Sequence, residues 1–263
     1  GHMDTHKHFS CAVNPRAARE ARYPQGIVRS DVKKRVLVVG GGPGGMKAAV
    51  TAAQRGHDVT LVDNRSKLGG QLSFTDFDDI KMDLRAQKDY LAHMVEKAGV
   101  RILLSTTADR IFAEEMRPDA IIIAAGATPI KPKLAGIERP CVLGAVEVYS
   151  ALSKVGKTVV MIGGGLVGVE TALFLAAAGK KVTVVEMTSV VGRGANRLHA
   201  EALRLEIEKQ GVQVLADTAC LSIEENGVIV KQKDQPEKIL SADTVVYCVG
   251  LRSNLDVYQE LYD

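Results

Sequence analysis

Hydrophobic and polar positions follow the same pattern in two blocks of this chain. Residues 36–63 and residues 159–186 each contain a β-branched apolar run, a glycine-rich turn, an alanine-rich stretch, a glycine, a second apolar run and an acid. A short, wholly apolar run is typical of a strand buried on both faces of a parallel sheet, and the longer stretch between two such runs predicts a helix. Each block therefore predicts a β-α-β unit.

The spacing within the two blocks is identical. The first glycine of the turn is followed after 16 positions by the glycine that ends the helix, and after 23 positions by the acid: Gly40, Gly56 and Asp63 in the first block, and Gly163, Gly179 and Glu186 in the second. Each block is followed by a further strand of one type, DAIIIAAGATP (119–129) and DTVVYCVGLRSN (243–254). Such a repeat predicts an α/β protein with two Rossmann-like dinucleotide-binding lobes, whose parallel sheets are flanked by helices.

Other patterns add detail to this map. An amphipathic helix is predicted around 82–98, and another near 197–210 that ends at Gly211. Residues 221–232 predict a hairpin about Asn226-Gly227, which forms a small antiparallel insertion. The predicted parts of the chain are 1–3 (the remnant of a cleaved tag), 4–30 (an N-terminal connecting arm), 31–149 (the first lobe), 150–254 (the second lobe) and 255–263 (a truncated return segment).

The glycine-rich turns carry the candidate chemistry. The first glycine of a G-x-G-x-x-G turn makes the sharp bend, the second lets the backbone approach a pyrophosphate, and the third lets the helix pack on the strand. The helix N-terminus faces the phosphates, and the acid accepts hydrogen bonds from the adenosine ribose. The predicted cofactor-binding residues are Gly40, Gly42, Pro43, Gly45, Asp63 and Asn64 in the first block, Gly163, Gly165, Leu166, Gly168 and Glu186 in the second, and Gly126 and Gly250 after the closing strands.

The acid of the second block bears on the choice between NADH and NADPH. Glu186 would repel a 2′-phosphate and accept hydrogen bonds from two hydroxyls, which favours NADH. Arg193 or Arg197, in the loop that follows, would favour NADPH if either side chain reached the same place. We expect NADH.

Composition and charge exclude several other classes of protein. Of the 263 residues, 46% are hydrophobic and 25% charged, and 34 basic residues against 31 acidic ones give a net charge of +3 that is spread along the chain. No basic stripe for nucleic acid is present, and no apolar run approaches the roughly 18 residues of a membrane span. The four cysteines (Cys11, Cys141, Cys220 and Cys248) form no Cys-x-x-Cys pair. We expect a cytoplasmic protein, compatible with a homo-oligomer, without nucleic-acid or membrane partners.

Four segments resemble the C-terminal half of the large NADH:flavin oxidoreductases of the old-yellow-enzyme branch. This branch includes 2,4-dienoyl-CoA reductase, 2-enoate reductase and trimethylamine dehydrogenase. The segments are CAVNPRAARE (11–20), VVGGGPGGMKAA (38–49), RGHDVTLVD (55–63) and LGGQL (68–72). The resemblance covers nearly the whole chain and implies that the FAD lobe comes first. It implies FAD at the first turn, with Gly69, Gly70 and Gln71 along the pyrophosphate. The second turn, with Glu170 two residues past its third glycine, matches the nicotinamide half.

The resemblance also implies a longer parent protein. In that family an N-terminal (β/α)₈ barrel carries FMN, and a [4Fe-4S] cluster precedes the FAD and NAD(P)H domains. Hydride passes from the nicotinamide to FAD, and electrons then cross the cluster singly to FMN. Cys11 matches the fourth cysteine ligand of the cluster, in the parent only, because the other three are absent here. The family's late Gly-Asp pair is also absent, so the first lobe is expected to lack its last strand and helix.

The predicted function is an NAD(P)H-dependent flavin oxidoreductase module that supplies electrons. In the parent it would partner the FMN barrel, which reduces a small enoate- or enoyl-type substrate; FMN and the cluster are not expected in this piece. No catalytic side chain is assigned, because the cofactors carry the chemistry. Two alternatives stay open. One is a stand-alone electron-transfer flavoprotein similar to ferredoxin reductase or the small subunit of glutamate synthase. The other is a non-catalytic nucleotide-binding interaction module.

Overall fold

The computed structural model of the chain describes residues 11–23 and 26–262. These residues form two compact units. The first unit comprises the residues up to Thr128 together with those from Ser253 onward, and the second comprises Pro129–Arg252. The second unit is therefore inserted into the first along the chain.

The predicted helices and strands are present. The strands are β1 (Arg35–Val39), β2 (Asp58–Val62), β3 (Arg101–Leu103), β4 (Ala120–Ile123), β5 (Ala127–Pro129), β6 (Val142–Gly144), β7 (Thr158–Ile162), β8 (Lys181–Val185), β9 (Gln213–Leu215), β10 (Thr218–Glu224), β11 (Gly227–Gln232), β12 (Lys238–Ser241), β13 (Thr244–Tyr247) and β14 (Leu251–Ser253). The α-helices are α1 (Pro43–Gln54), α2 (Met82–Lys97), α3 (Arg110–Met116), α4 (Ala145–Ser150), α5 (Leu166–Ala177), α6 (Arg197–Gln210) and α7 (Leu255–Tyr262). Three 3₁₀ segments cover Gly70–Phe77, Asp79–Lys81 and Leu152–Lys154. The bounds of α2, of α6 and of the hairpin β10–β11 confirm the predicted elements.

The first unit is built on a four-stranded parallel sheet in the order β3-β2-β1-β4. Successive residues of β1 enter two separate cores: Val36 and Val38 pack with residues of α1 and α2, whereas Leu37 and Val39 pack with residues of α3. This alternation explains why the strand is apolar throughout, since both faces of the sheet are covered.

The second unit has a five-stranded parallel sheet in the order β6-β13-β7-β8-β9. Val159 and Met161 of β7 pack into a core with α5 and α6. Val160 and Ile162 face the opposite way and pack against β10 and β11 of the antiparallel sheet β10-β11-β12. The predicted α/β class with a small antiparallel insertion is confirmed.

Equivalent elements of the two units are separated along the chain by one of two distances. From β1 to β2 the distance is 123 positions, as between Arg35 and Thr158. At β3 and β9 it is 112 positions, between Arg101 and Gln213. The first unit therefore carries 11 additional residues between its second and third strands, in the region of the 3₁₀ segments Gly70–Phe77 and Asp79–Lys81.

For two segments, the observed units differ from the predicted lobes. β6 is hydrogen-bonded to β13, so β6 and the following α4 belong to the second unit, ahead of residue 150. Of the predicted return segment, residues 255–262 form α7, and Val257 and Leu261 of this helix pack into the core of the first unit. Among the described residues of the arm, 11–23 and 26–30 contain turns and bends but neither helix nor strand.

Candidate functional site: two glycine cradles

The glycine turn of the first unit needs glycine at two of its predicted positions. Gly40 follows β1 with φ 110°, and a β-carbon there would lie 2.3 Å from the carbonyl oxygen of Ala124. A β-carbon on Gly45 would lie 1.7 Å from the carbonyl oxygen of Gly40. Gly45 thus brings α1 into direct contact with the turn, as predicted for the third glycine of such a motif.

Between these two positions, the backbone is open. Gly42 is the N-cap of α1 with extended backbone, no side chain caps this end, and Pro43 takes the first helical position. A β-carbon on Gly42 would approach only the α-carbon of Gly70, at 3.7 Å. The first N–H groups of a helix have no partner within the helix, so this end is a suitable place for a phosphate.

The second unit repeats this geometry. Gly163 has φ 104°, and its β-carbon would lie 2.3 Å from the carbonyl oxygen of Cys248. A β-carbon on Gly168 would lie 2.1 Å from the carbonyl oxygen of Gly163. Gly165 is the N-cap of α5, which begins at Leu166 without a capping side chain. We refer to the two turns, each with its strand end and helix start, as the first and second cradles.

The acid after each cradle's second strand is held by backbone N–H groups. Asp63 accepts from Gly41 N at 2.5 Å and from Arg65 N at 2.7 Å. Glu186 accepts from Gly164 N at 2.7 Å through Oε2, and from Thr188 N at 2.9 Å through Oε1. Both carboxylates therefore lie beside the glycine turn, where the ribose of a dinucleotide would meet them.

The surroundings of Glu186 keep it ionised. Burial acts to raise the pKa of its carboxyl group, but hydrogen bonds from the backbone of Gly164 and Thr188, from the Thr188 hydroxyl, and the charge of Arg193 outweigh burial. The pKa of Glu186 is consequently lowered. An ionised acid accepts hydrogen bonds from hydroxyl groups and repels a phosphate.

We expect Glu186 to make the stability of the second unit depend on pH. Because its pKa is lowered in the folded state, its contribution is present above the unfolded pKa and is lost as the pH falls through the folded pKa. The free energy of unfolding, from chemical denaturation, should therefore be higher in the wild type than in Glu186→Gln. We expect the full difference at neutral pH and a smaller one below about pH 4. The control is Glu225→Gln, in an exposed turn. A constant difference between wild type and Glu186→Gln across this range would contradict the expectation.

A second turn contacts each cradle, and sequence reasoning found only one of the two. Gly69 N donates to Gly41 O at 2.9 Å in the first unit, and Gly192 N donates to Gly164 O at 2.7 Å in the second. The sequence pattern marks LGGQL (68–72) as a feature of the first block, yet residues 191–195 form its equivalent at the same offset of 123 positions. The signal was Gly192, which a search at that offset would have found opposite Gly69.

The two turns share only their first glycine, and the residue after it bears on the geometry of the cradle. Gly70 of the first unit corresponds to Arg193 of the second, whose carbonyl oxygen accepts from Leu166 N at 3.0 Å. A β-carbon on Gly70 would lie 2.7 Å from the α-carbon of Gly42, so glycine is needed in the first unit. Arg193 lies close enough to Glu186 for its charge to lower the pKa of that carboxyl group.

The remaining predicted residues of the first cradle lie around it. Gln71 Nε2 donates to Ala127 O at 2.7 Å, which ties the second turn to the segment after β4. Gly126 has φ 70° in that segment, and its carbonyl oxygen accepts from Asn254 N at 3.1 Å. Asn64 is exposed in the loop after β2.

The second unit contains a cavity of about 700 Å³, within the range of ligand sites. Its lining includes five of the six residues predicted for the second nucleotide: Gly163, Gly165, Leu166, Glu186 and Gly250. The sixth, Gly168, packs against the turn behind them. Cys220 and Cys248 also line the cavity, but burial raises the pKa of each thiol to about 11. Both are therefore protonated at neutral pH and do not act as thiolates.

Cys11 lies at the start of the described arm. Its sulfur accepts from Asn14 N at 3.4 Å, and Asn14 Oδ1 accepts from Arg16 N at 3.1 Å, so the VNP segment turns back toward the thiol. No cluster of three or more potential metal ligands occurs within residues 11–23 and 26–262.

Glu170, which follows the third glycine of the second cradle, has its Oε1 3.4 Å from His199 Nε2. Within the described part of the chain, no helix has the length and apolar character needed to span a membrane.

Comparison with known proteins gives consistent matches. Residues 34–262 match the model of the pyridine nucleotide-disulphide oxidoreductase family. NADH oxidase of Thermoanaerobacter brockii is 37% identical over 91% of this chain and 37% of its own length. Cinnamate reductase of Clostridium sporogenes is 35% identical over 99% of this chain and 39% of its own. A solved structure of 2-naphthoyl-CoA reductase is similar with a TM-score of 0.90 and 29% identity, over 96% of this chain and 38% of that one. The chain thus spans about two fifths of the length of these proteins.

Proposed function

The chain belongs to the pyridine nucleotide-disulphide oxidoreductase family, and on this premise we propose that it is the NADH-oxidising, FAD-binding part of a longer flavoenzyme. The observation that carries the proposal is the pair of equivalent cradles. In each of them a β-carbon at the first or third glycine would collide with backbone, and no side chain caps the helix start between these glycines. Two sites of this kind suit a protein that brings two dinucleotides together.

The residues present fit FAD in the first unit. Gly40, Gly42 and Gly45 would take the pyrophosphate at the start of α1, and Asp63 the ribose. The second turn with Gly69 and Gly70 lies against Gly41 and Gly42, where it adds backbone to the same cradle. When bound, FAD would supply a two-electron acceptor for hydride from a nicotinamide.

The residues of the second unit fit NADH. Gly163, Gly165 and the first turn of α5, which begins at Leu166, would hold the pyrophosphate, and the cavity beside them is large enough for a nucleotide. Glu186 is ionised and would accept hydrogen bonds from the two ribose hydroxyls. The same charge disfavours the 2′-phosphate of NADPH, although Arg193 reduces that repulsion.

The rest of the proposal concerns the longer parent protein. Relatives named NADH oxidase, cinnamate reductase and 2-naphthoyl-CoA reductase are all much longer than the part that matches here. We place an FMN-bearing barrel and a [4Fe-4S] cluster in the parent, with Cys11 as one cluster ligand. The substrate would be an enoate- or enoyl-type molecule that the barrel recognises. Three closely spaced cysteines upstream of Cys11 in the native reading frame would support this arrangement, and their absence would favour a stand-alone electron-transfer flavoprotein.

We expect the purified chain to bind both FAD and NADH, with NADH bound more tightly than NADPH. Titration of the chain with FAD, followed by quenching of flavin fluorescence, and calorimetric titration with NADH, NADPH and NAD⁺ measure these affinities. With FAD bound, anaerobic NADH should bleach the flavin absorbance, and the chain should pass electrons to an artificial dye. Binding of neither nucleotide would contradict the proposal, and NADH binding without flavin reduction in the parent would favour an interaction module.

A further inference from the structure

The first unit contains a buried lysine that the nucleotide motifs do not explain. Lys88 of α2 has a side chain only 9% exposed, and its ammonium group contacts the carboxylates of Asp76 and of Asp89, the latter at 3.0 Å. A lysine is rarely buried without a partner, and its burial here depends on the segment that carries Asp76. Asp76 lies in the 3₁₀ segment Gly70–Phe77, directly after the second turn of the first cradle.

The stem of Lys88 packs directly on that second turn. A β-carbon on Gly69 would lie 2.8 Å from Cδ and 3.2 Å from Cγ of Lys88. The neighbouring Gly70 is in contact with Gly42 of the cradle, and Gly69 N donates to Gly41 O. One side chain therefore connects α2, the segment Gly70–Phe77 and the turn that lies against the first cradle.

Other contacts hold the same segment from the same helix. Arg85, three residues before Lys88, donates from Nε to Thr75 O at 2.6 Å and contacts Asp79 at 2.9 Å. Residues three apart on a helix share a face, so Arg85 and Lys88 both point toward the segment. Thr75 is fully buried and donates to Leu72 O at 2.6 Å, which stiffens the segment from within.

The second unit lacks this arrangement. At the offset of 112 positions, buried Leu91 of α2 corresponds to buried Leu203 of α6, and Val100 corresponds to Val212. At that offset Lys88 corresponds to Ala200. The buried lysine thus accompanies the 11 additional residues of the first unit, and is not a part of the shared framework.

We infer that Lys88 is a positioning residue of the first cradle. Through its contact with Asp76, Lys88 keeps the turn at Gly69 and Gly70 against Gly42. The inference rests on the proposed FAD site, because it names what shapes that site. Lys88 does not itself touch the nucleotide in this role. Without its charge, Asp76 loses its ion pair, and the segment Gly70–Phe77 keeps the contact of Arg85 with Thr75 as a link to α2.

The test compares Lys88→Met with Lys97→Met, an exposed lysine at the end of the same helix. Hydrogen exchange of the amides of residues 69–77 should become roughly tenfold faster in Lys88→Met and stay unchanged in Lys97→Met. The dissociation constant for FAD should rise roughly tenfold in Lys88→Met, because the turn at Gly69 and Gly70 is then held less firmly against Gly42. NADH affinity should be unchanged in both variants. Lys88→Arg should restore the exchange rates and the affinity for FAD.

The outcomes distinguish failure of the proposed FAD site from failure of the role inferred for Lys88. If wild-type chain binds no FAD, the proposed FAD site fails, and the exchange measurement alone decides the role of Lys88. Wild-type exchange rates over 69–77 in Lys88→Met would overturn the inference. If Lys88→Met does not fold, Asp76→Asn replaces it, since the Asp76 side chain is 41% exposed and its change leaves no buried cavity. Asp76→Asn should then accelerate exchange in the same segment, and its failure to do so would also overturn the inference.

Discussion

Replacement of Gly45 by alanine should abolish FAD binding and destabilise the first unit by about 3 kcal/mol. The added β-carbon would lie 1.7 Å from the carbonyl oxygen of Gly40 and 3.4 Å from the side chain of Ala124, so α1 must move away from β1. Gly40 has φ 110°, and a β-carbon on it would lie 2.3 Å from Ala124 O, so the turn is itself packed against the segment after β4 and has little room to yield. Chemical unfolding and FAD titration measure the two effects.

The neighbouring glycine is the matched control for this prediction. Gly44 is in the same helix, is exposed, and has no atom within 4 Å of the position a β-carbon would take. Gly44→Ala should stabilise α1 by about 0.5–1 kcal/mol, because alanine loses less backbone entropy in a helix. FAD binding should persist. NADH binding by the second unit should be retained in both variants, and equal effects of the two substitutions would contradict the assignment of Gly45 as the packing glycine.

Replacement of Glu186 by alanine should lower the affinity for NADH between about tenfold and a hundredfold, since a hydrogen bond to a charged group contributes about 1.5–3 kcal/mol. The substitution removes the acceptor for Gly164 N and Thr188 N, so the turn also loses its support. NADPH affinity should not fall in parallel, because the carboxylate that repels its 2′-phosphate is gone while Arg193 remains. The ratio of the two dissociation constants, from calorimetry, measures the preference.

The internal repeat provides the control for Glu186. The Asp63 carboxylate accepts a hydrogen bond from Gly41 N, as the Glu186 carboxylate does from Gly164 N. Asp63→Ala should therefore weaken FAD binding and leave NADH binding intact. Glu186→Ala should do the reverse. If either substitution weakened both nucleotides alike, the two cradles would not be separate sites. If Glu186→Ala left the NADH-to-NADPH ratio unchanged, another residue would set the preference.

The repeated framework was predictable from the sequence because its constraints are local. Gly40 and Gly163 need positive φ, and Gly45 and Gly168 need a missing side chain. Such requirements fix residue type at fixed spacing, so the pattern of apolar runs and glycines was sufficient to predict both β-α-β units.

The other features depend on contacts between distant residues. β6 belongs to the second unit because it is hydrogen-bonded to β13, which lies about a hundred positions later in the chain. Burial of Lys88 depends on how the segment Gly70–Phe77 folds over α2, and the amphipathic pattern of that helix reveals nothing of it. The turn at Gly192 carries Arg193 where the first unit has Gly70, which hid its equivalence to LGGQL.

The place of β4 at the edge of its sheet has a consequence for the behaviour of this polypeptide in solution. Its equivalent in the second unit, β13, is paired on both sides because β6 covers it, whereas β4 is paired with β1 alone among the described strands. The sequence Ala-Ile-Ile-Ile contains no charge or proline, and Ile122 is 37% exposed. Natural proteins protect such edges, because unpaired N–H and C=O groups on an apolar strand recruit further strands. At this edge the polypeptide can therefore accept one more parallel strand, and we expect that concentrated samples can self-associate there.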